Sequence, residues 1–344
     1  MSKHTFSLYL LLLTLMLACK ESPANIETSK PETVPDTIPV SDTVPVMPSP
    51  YVDSLEYHRL LDYVANRDTT GLWPVRNQPL PLKGALLPYN RIVAYYGNLY
   101  SKRMGILGEL PPAAMWERLH QEVEAWQKAD TLTPVIPAVH YIAVVAQGTP
   151  QKDNKWRLRM PEHQIDSAIA IAQMHNAVVF LDVQVGLSTV EQEIPRLEKY
   201  LRQPHIHLGI DPEFSMKDGT PPGRKIGTFD AEDINFCTAY LAELVHKYDI
   251  PPKILVVHRF TKGMMTNYKK IKLRPEVQTV IDMDGFGSPG LKYSTQSRFI
   301  RSEPVQFTGF KLFYKNDVKQ YPHHLITATE LMKLSPRPVY IQYQ

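Results

Sequence analysis

The sequence predicts a (β/α)8 barrel. From Arg91 onward, eight apolar runs of strand-like composition alternate with amphipathic helical patterns. Strands that alternate with helices pair in parallel through crossover connections, and eight parallel strands are enough to close a barrel. The stretch from Arg91 onward, roughly 250 residues, is the usual size of that fold. An open, doubly wound parallel sheet is the alternative architecture for the same pattern.

Eight segments are predicted to be strands because they are rich in Val, Ile and aromatic residues. They span residues 91–97, 133–145, 177–186, 205–214, 253–260, 277–287, 307–314 and 338–344. Pro137 and Pro212 fall within two of these runs, which predicts a bulge or a strand end at each proline. The eighth run reaches residue 344, so the predicted barrel lacks a helix after its final strand.

Helical periodicity falls between the strands. The predicted helices are Pro111–Ala129, Glu162–His175, Thr189–Leu201 and Asp230–Tyr248. In the last of these, Asp230 is placed to cap the helix and Asp233 follows three residues later, as in a capping box. Residues 51–66 also space their apolar side chains as a helix does. We expect that segment to cover the part of the barrel that lacks a final helix.

The first 50 residues predict export and tethering rather than a folded core. Residues 1–19 have a basic start and an apolar run too short to span a bilayer, which is the layout of a signal peptide. Residues 20–50 are rich in proline and small polar residues, which is typical of an extended tether. We therefore divide the chain into a signal peptide (1–19), a tether (20–50), a helical extension (51–90) and the barrel (91–344).

The apolar run ends in LMLAC at residues 15–19, which resembles a bacterial lipobox. The resemblance implies that Cys19 is lipidated and holds the protein on a lipid bilayer of the cell envelope. The two residues that follow, KE, resemble the export tag of some surface lipoproteins of the outer membrane. The alternative is an ordinary cleaved signal peptide with an incidental cysteine. Since Cys237 is the other cysteine of the chain, a structural disulfide is not expected.

Charge gives no support to a nucleic-acid partner. The formal net charge is +3, and lysine and arginine are scattered along the chain rather than clustered. A nucleic-acid-binding surface would need a concentrated basic patch.

The fourth predicted strand, HIHLGIDPEF, ends in two acids. Side chains alternate along a strand, so its three aliphatic side chains face the helices. His207, Gly209, Asp211 and Glu213 face the barrel interior on the same reasoning. Asp211 and Glu213 come last, at the carboxyl end of the strand, which is the active-site mouth of barrel enzymes.

Polar side chains recur at this end of nearly every strand. In strand order they are Tyr96 and Asn98, His140, Asp182 and Gln184, Asp211 and Glu213, His258, Asp282 and Asp284, Lys311 and Lys315, and Gln342 and Gln344. Carboxyl groups held close together oppose each other's ionisation, so a purely structural barrel has no reason to collect five of them. A concave, titratable surface of this kind predicts an active site.

Several of these residues also have a structural interpretation. Asp182 could cap a helix or form a turn, and His207 lies deep enough in its strand to be a packed core histidine. Asp282 or Asp284 could bind backbone amides of the loop Gly285–Gly290. That loop matches a dinucleotide-binding pattern, but Pro289 lies inside it and no apolar helical period follows. We expect a ligand-approaching loop or a plain turn there, not a phosphate-binding helix.

A D-x-E pattern on the fourth barrel strand, here Asp211-Pro212-Glu213, resembles that of chitinase-like glycoside hydrolases. We therefore expect a carbohydrate substrate, with neither a cofactor nor a metal ion. Glu213 is the candidate general acid, because ionised Asp211 and a partly apolar mouth would raise its pKa. Asp211 would orient the substrate, and Asp284 or Asp182 would act as base or nucleophile. The candidate substrate-binding residues are Tyr96, Asn98, His140, Gln184, His258, Asp282, Lys311 and Gln342.

Two other functions fit the same residues. A metal-dependent hydrolase, such as a phosphodiesterase, could use Asp182, Asp211, Glu213, His258 and Asp282 as hard ligands. A surface lipoprotein that binds a glycan or a protein without turnover is the third hypothesis.

Overall fold

The computed structural model describes residues 52–344, which contain eight parallel strands closed into a barrel. The barrel strands are β1 (Arg91–Gly97), β2 (Val135–Ala146), β3 (Val178–Val183), β4 (Ile206–Ile210), β5 (Lys253–Arg259), β6 (Val277–Met283), β7 (Phe307–Leu312) and β8 (Tyr340–Tyr343). Each strand pairs in parallel with the next, and β1 pairs with both β2 and β8. The (β/α)8 prediction is confirmed, and the open-sheet alternative is wrong because the β1–β8 pairing leaves no free edge.

Helices cover most of the strand connections. They are α1 (Ser54–Ala65), α2 (Pro112–Ala129), α3 (Glu162–Gln173), α4 (Val190–Glu193), α5 (Glu198–Leu201), α6 (Ala231–Tyr248), α7 (Pro289–Thr295) and α8 (Ala328–Leu331). α6 begins with the predicted capping box, in which Asp230 and Asp233 satisfy each other's backbone amides. The predicted helix Thr189–Leu201 is instead split into α4 and α5 by a 3-10 segment, Ile194–Leu197, whose second residue is Pro195. A proline there cannot donate the next helical hydrogen bond.

The connection from β5 to β6 contains no α-helix. It consists of two 3-10 turns, Lys262–Met264 and Tyr268–Lys270, and a two-residue strand, Met265–Thr266. That strand pairs in parallel with Phe229–Asp230, directly before α6. The strict alternation of strands and helices is therefore broken once, between β5 and β6.

Residues 52–90 lie at the amino ends of the strands. α1 contacts the segment that leads into β8, where Ser335 Oγ donates to the Ala65 carbonyl at 2.8 Å and Asn66 Nδ2 donates to the Leu334 carbonyl at 2.7 Å. Further along, the Leu87 amide donates at 2.9 Å to Gln278 Oε1 near the start of β6. Of residues 52–90, only α1 is helical.

The loop after β6 is followed by a helix, contrary to the sequence-based expectation. α7 begins at Pro289 and continues as a π-helical segment, Gln296–Arg301. Its buried residues include Lys292, whose Nζ lies 2.8 Å from Asp317 Oδ2 and donates to the Gly285 carbonyl at 2.8 Å. The helix was missed because part of its buried face is a lysine rather than an aliphatic side chain.

The strand faces follow the predicted alternation as far as Ile210. The aliphatic side chains of β4 are fully buried in the core between the strands and the helices. Gly209 faces the interior, where an added Cβ would lie 2.4 Å from His140 Nε2. No helix within residues 52–344 is long and apolar enough to cross a bilayer. The signal peptide, Cys19 and the tether lie outside the described residues.

Candidate active site

The acids Asp211 and Glu213 follow β4 but are not part of it. β4 ends at Ile210, and Pro212–Phe214 forms a 3-10 turn. Asp211 caps this turn, and its Oδ1 accepts a hydrogen bond from the Glu213 amide at 3.0 Å. Pro212 marks the strand end, as expected, whereas Pro137 lies inside β2 in continuous register with β1. Glu213 is therefore placed by a capped turn and not by strand alternation.

Ion pairs join β3, β5, β6 and β7 at the carboxyl ends of the strands. His258 lies between two aspartates, with Nε2 3.4 Å from Asp182 Oδ1 and Nδ1 3.0 Å from Asp284 Oδ2. Asp284 Oδ1 in turn lies 2.9 Å from Lys311 Nζ. The Lys311 ammonium sits 3.8 Å from the centre of the Tyr96 ring, and Tyr96 Oη donates to Asp182 Oδ2 at 3.0 Å. These five side chains form a closed ring of contacts across the barrel.

Two carboxyl groups of this ring are held ionised. Burial would raise the pKa of Asp182, but the adjacent His258 and His140 hold it well below the usual range. Burial has the same effect on Asp284, and Lys311 and His258 lower its pKa below the ordinary value. Burial would lower the pKa of His258, but the two aspartates raise it well above that of a free imidazole. The ring thus places the ionised carboxyls of Asp182 and Asp284 on either side of His258.

Three other carboxyl groups are held in the protonated form to much higher pH. Burial, together with the charges of Asp211 and Asp284, raises the pKa of Glu213 to about 8. Burial is also the main cause that raises the pKa of Asp211 and of Asp282 to about 7 each. Environments that push carboxyl pKa values apart in one site mark out candidate acids and bases.

A second layer of polar side chains lies on the β2, β3 and β8 side of the ring. His140 Nδ1 lies 2.6 Å from Tyr340 Oη and 3.1 Å from Gln342 Nε2. Gln184 Nε2 lies 3.4 Å from both Tyr96 Oη and Asp211 Oδ2. Tyr340 is not among the residues predicted from the sequence, although it precedes Gln342 by two residues and so shares its face of β8.

Exposure separates the candidate catalytic residues. Asp182, His140, His258 and Asp282 are fully buried, whereas Asp284 keeps 9% of its surface exposed and Glu213 is partly exposed. Glu213 and Asp284 are therefore the more accessible members of this set. Asp182 is therefore placed to support its neighbours, and Asp284 is the better placed of the two candidates for base or nucleophile.

Three predicted residues are not shown in contact with either the ring or the second layer. Asn98 Nδ2 donates to Tyr141 Oη at 3.3 Å, on the helix-facing side of β2, and Lys315 is an exposed residue paired with Glu109. Gln344 lies beyond β8, and its backbone bonds to the neighbouring chain segment. The expectation that Asn98 and Lys315 join the carboxyls is wrong, because each contacts a residue away from the ring instead.

Asn98 instead lines a groove of about 380 Å³ beside the barrel mouth. Its other walls come from the residues after β1, from the end of β2 and the short strand Arg157–Arg159 that pairs antiparallel with it, and from the start of α3. They include Tyr100, Leu158, Met160 and Gln164. Tyr100 and Leu158 are exposed apolar side chains.

A candidate metal centre lies among the fully buried side chains of the ring and the second layer. His140, Asp182 and His258 each offer one ligand atom, and these atoms lie within 4.8 Å of one another. Asp211, Glu213 and Asp282, which sequence analysis also considered as ligands, are not part of this group.

Comparison with known proteins identifies no family. No family model and no curated protein sequence matches the chain. A ruminal GH26 endo-β-1,4-mannanase matches with a TM-score of 0.34 and 9% identity over 74% of this chain and 59% of its own. A GH18 chitinase from Pseudoalteromonas aurantia matches with a TM-score of 0.33 and 12% identity over 74% of this chain and 93% of its own. The chain thus spans less than two thirds of the mannanase.

Structural similarity this low says nothing about the activity of this chain. The barrel fold is shown by the strand pairing.

Proposed function

We propose that this protein is a glycoside hydrolase that uses Glu213 as its general acid. One observation carries the proposal: Glu213, with a pKa raised to about 8, lies close enough to Asp284, whose pKa is lowered, for the charge of Asp284 to act on it. Hydrolysis of a glycosidic bond needs a protonated carboxyl for the leaving oxygen and a second carboxylate on the opposite side of the sugar ring. No arginine or lysine is paired with Glu213 among the ion pairs of residues 52–344.

In the proposed reaction, Glu213 gives its proton to the glycosidic oxygen as the bond to the anomeric carbon breaks. Asp284 supplies the negative charge for the opposite face, either by activating water or by attacking the anomeric carbon. Water provides the hydroxyl group of the product. Its proton goes to Glu213 when Asp284 is the nucleophile; when Asp284 is the base, the proton goes to Asp284, and exchange with solvent then restores both carboxyls. Lys311 and His258 hold Asp284 in its ionised form and in a fixed orientation.

Asp211 is a positioning residue for Glu213. Its side chain caps the turn that carries Glu213, and its charge is one of the causes of the raised pKa of Glu213. The groove that includes Asn98 and Tyr100 adjoins the same end of the barrel, and Tyr100 offers an exposed ring on which a sugar can stack. These features favour an extended carbohydrate as the substrate.

Glu213→Gln tests the proposal directly. We expect kcat on an aryl glycoside or oligosaccharide substrate to fall by roughly 10²–10⁴-fold, since general acid catalysis contributes about that factor. Affinity for the intact sugar, measured by calorimetry, should change little because glutamine keeps the shape of the side chain. Glu117→Gln, at an exposed position on α2, is the matched control and should keep full activity.

The proposal fails if Glu213→Gln hydrolyses an accepted substrate at the wild-type rate. It also fails if the wild type binds oligosaccharides yet releases no reducing ends from any of a panel of α- and β-linked sugars. That second result favours the glycan-binding lipoprotein.

We also propose that the protein is a lipid-anchored component of the cell envelope. The support is the sequence alone: the LMLAC segment ends in Cys19 and is followed by a proline-rich stretch that can act as a tether. An extracytoplasmic location agrees with a carbohydrate substrate.

A further inference from the structure

We propose that His140, Asp182 and His258 bind one divalent transition-metal ion beneath the candidate active site. The site goes beyond glycoside hydrolysis, which the Glu213 and Asp284 pair can perform without it. All three side chains are fully buried and come from β2, β3 and β5.

The spacing of the ligand atoms fits a metal ion better than it fits hydrogen bonds. His140 Nε2 lies 3.3 Å and His258 Nε2 lies 3.4 Å from Asp182 Oδ1. Charge-assisted hydrogen bonds between nitrogen and a carboxylate are shorter, about 2.7–2.9 Å. Bonds of about 2.1 Å to a tetrahedral ion separate neighbouring ligand atoms by about 3.4 Å.

These same three atoms lack hydrogen-bond partners within residues 52–344. His140 Nε2, Asp182 Oδ1 and His258 Nε2 are each buried and make no hydrogen bond of acceptable geometry. A buried polar atom without a partner costs about 1–3 kcal/mol, so three that converge on one point need a common explanation. One cation bound by all three atoms provides it.

The other polar atom of each ligand already lies against a neighbouring side chain, although His258 Nδ1, like the three ligand atoms, makes no hydrogen bond of acceptable geometry. Tyr96 Oη donates to Asp182 Oδ2 at 3.0 Å, and His140 Nδ1 lies 2.6 Å from Tyr340 Oη. His258 Nδ1 lies 3.0 Å from Asp284 Oδ2. Histidines that bind metals usually have their second ring nitrogen oriented by a carboxylate or another polar group in this way.

Gly209 provides the space that the ion needs. A Cβ at this position would lie 2.4 Å from His140 Nε2 and 2.6 Å from Asp182 Oδ1. Its φ lies outside the left-handed region, so the backbone does not itself require glycine. Glycine at this position therefore leaves space beside two of the ligand atoms, His140 Nε2 and Asp182 Oδ1.

The donor set selects the class of ion. Two imidazole nitrogens and one carboxylate oxygen suit Zn²⁺, Co²⁺ or Fe²⁺, whereas Mg²⁺ and Ca²⁺ prefer oxygen ligands alone. Three protein ligands leave a position for water or another small ligand. The competing account is a metal-free site in which a protonated His258 lies between Asp182 and Asp284.

Cobalt binding to the purified full chain distinguishes the two accounts. The chain is stripped with a chelator and titrated with CoCl₂, and visible ligand-field bands report a four- or five-coordinate site. We expect saturation at one equivalent and displacement of the bands by ZnCl₂. The exposed neighbours His323 and His324 could bind metal adventitiously, so both are changed to alanine in every variant, including the reference protein.

His140→Gln and Asp182→Asn should each weaken cobalt binding at least 100-fold. His207→Gln is the matched control, because His207 is another buried histidine inside the barrel and lies outside the triad. It should bind cobalt as the reference does. Tyr340→Phe removes only the hydroxyl that holds His140 and should weaken binding by about 10–100-fold.

Absence of ligand-field bands in the stripped reference protein overturns the proposal, as does binding that His140→Gln and Asp182→Asn leave unchanged. If those two variants do not fold, the reference spectrum and Tyr340→Phe still decide the matter. Glu213→Gln should bind cobalt normally, so a failed metal site and a failed hydrolase proposal give different results.

Discussion

At the scale of single residues, the site depends on how burial and charge divide its carboxyl groups. Asp182 and Asp284 touch cations and stay ionised, whereas Asp211 and Glu213 make no ion pair within residues 52–344 and have raised pKa values. The sequence indicated that Asp211 would help raise the pKa of Glu213. It also indicated a partly apolar mouth as a cause, and in the structure burial is the larger of the two.

The raised pKa of Glu213 predicts an alkaline limit to activity. A general acid works only while protonated, so kcat/KM should be level below pH about 8 and fall about tenfold per pH unit above it. The measurement is a pH profile from pH 5 to 10 on an uncharged substrate.

Lys311→Met provides the check on that profile. The Lys311 charge lowers the pKa of Glu213, so its removal should move the alkaline limb to higher pH. A limb that stays in place in Lys311→Met, or one found near the ordinary pKa of a glutamate, contradicts Glu213 as the titrating acid.

At the scale of elements, Asp230 joins α6 to the irregular connection between β5 and β6. Besides capping α6, its Oδ2 accepts hydrogen bonds from Thr266 Oγ1 at 2.5 Å and Asn267 Nδ2 at 2.6 Å. This connection has no α-helix of its own, so the carboxylate at the start of α6 helps to hold it in position.

Asp230→Ala should lower the free energy of unfolding by about 2 kcal/mol. Loss of a helix cap costs about 1 kcal/mol, and the Thr266 hydroxyl and the Asn267 amide each lose their acceptor. Urea denaturation measures the change. A double-mutant cycle with Thr266→Ala should show coupling of about 1 kcal/mol, and strictly additive effects would show that the contact between the two residues contributes nothing.

At the scale of the whole molecule, barrel closure assembles the site. Tyr96 lies on β1 and Lys311 lies on β7. The two side chains meet only because β8 lies between these strands and pairs with both of them. An open sheet with β1 at one edge would separate them. The buried ring of charges is therefore a consequence of closure rather than of any local motif.

The proposed lipid anchor also concerns the whole molecule. Expressed from the full sequence in a bacterial host, the protein should partition with membranes and carry a diacylglyceryl modification at Cys19, detectable by mass spectrometry. Cys19→Ser should release it from the membrane fraction while Cys237→Ser leaves it there, because Cys237 is fully buried in α6. A mature chain that begins elsewhere and lacks lipid would refute the anchor.

The sequence by itself determined the fold class, the order of the strands and the end of the barrel at which polar groups collect. Those properties follow from local periodicity. The alternation of side chains along strands and the helical spacing of apolar residues can be read directly from the sequence. Only the tertiary structure decided which of these groups meet. Asn98 and Lys315 pass the strand ends and contact Tyr141 and Glu109 instead, and Pro212 moves Glu213 from the strand onto a capped turn.

The contacts of Asp182 with Tyr96, His140 and His258 likewise bring together four strands, β1, β2, β3 and β5. Distances between side chains on different strands depend on closure and packing, and no local pattern in the sequence records them.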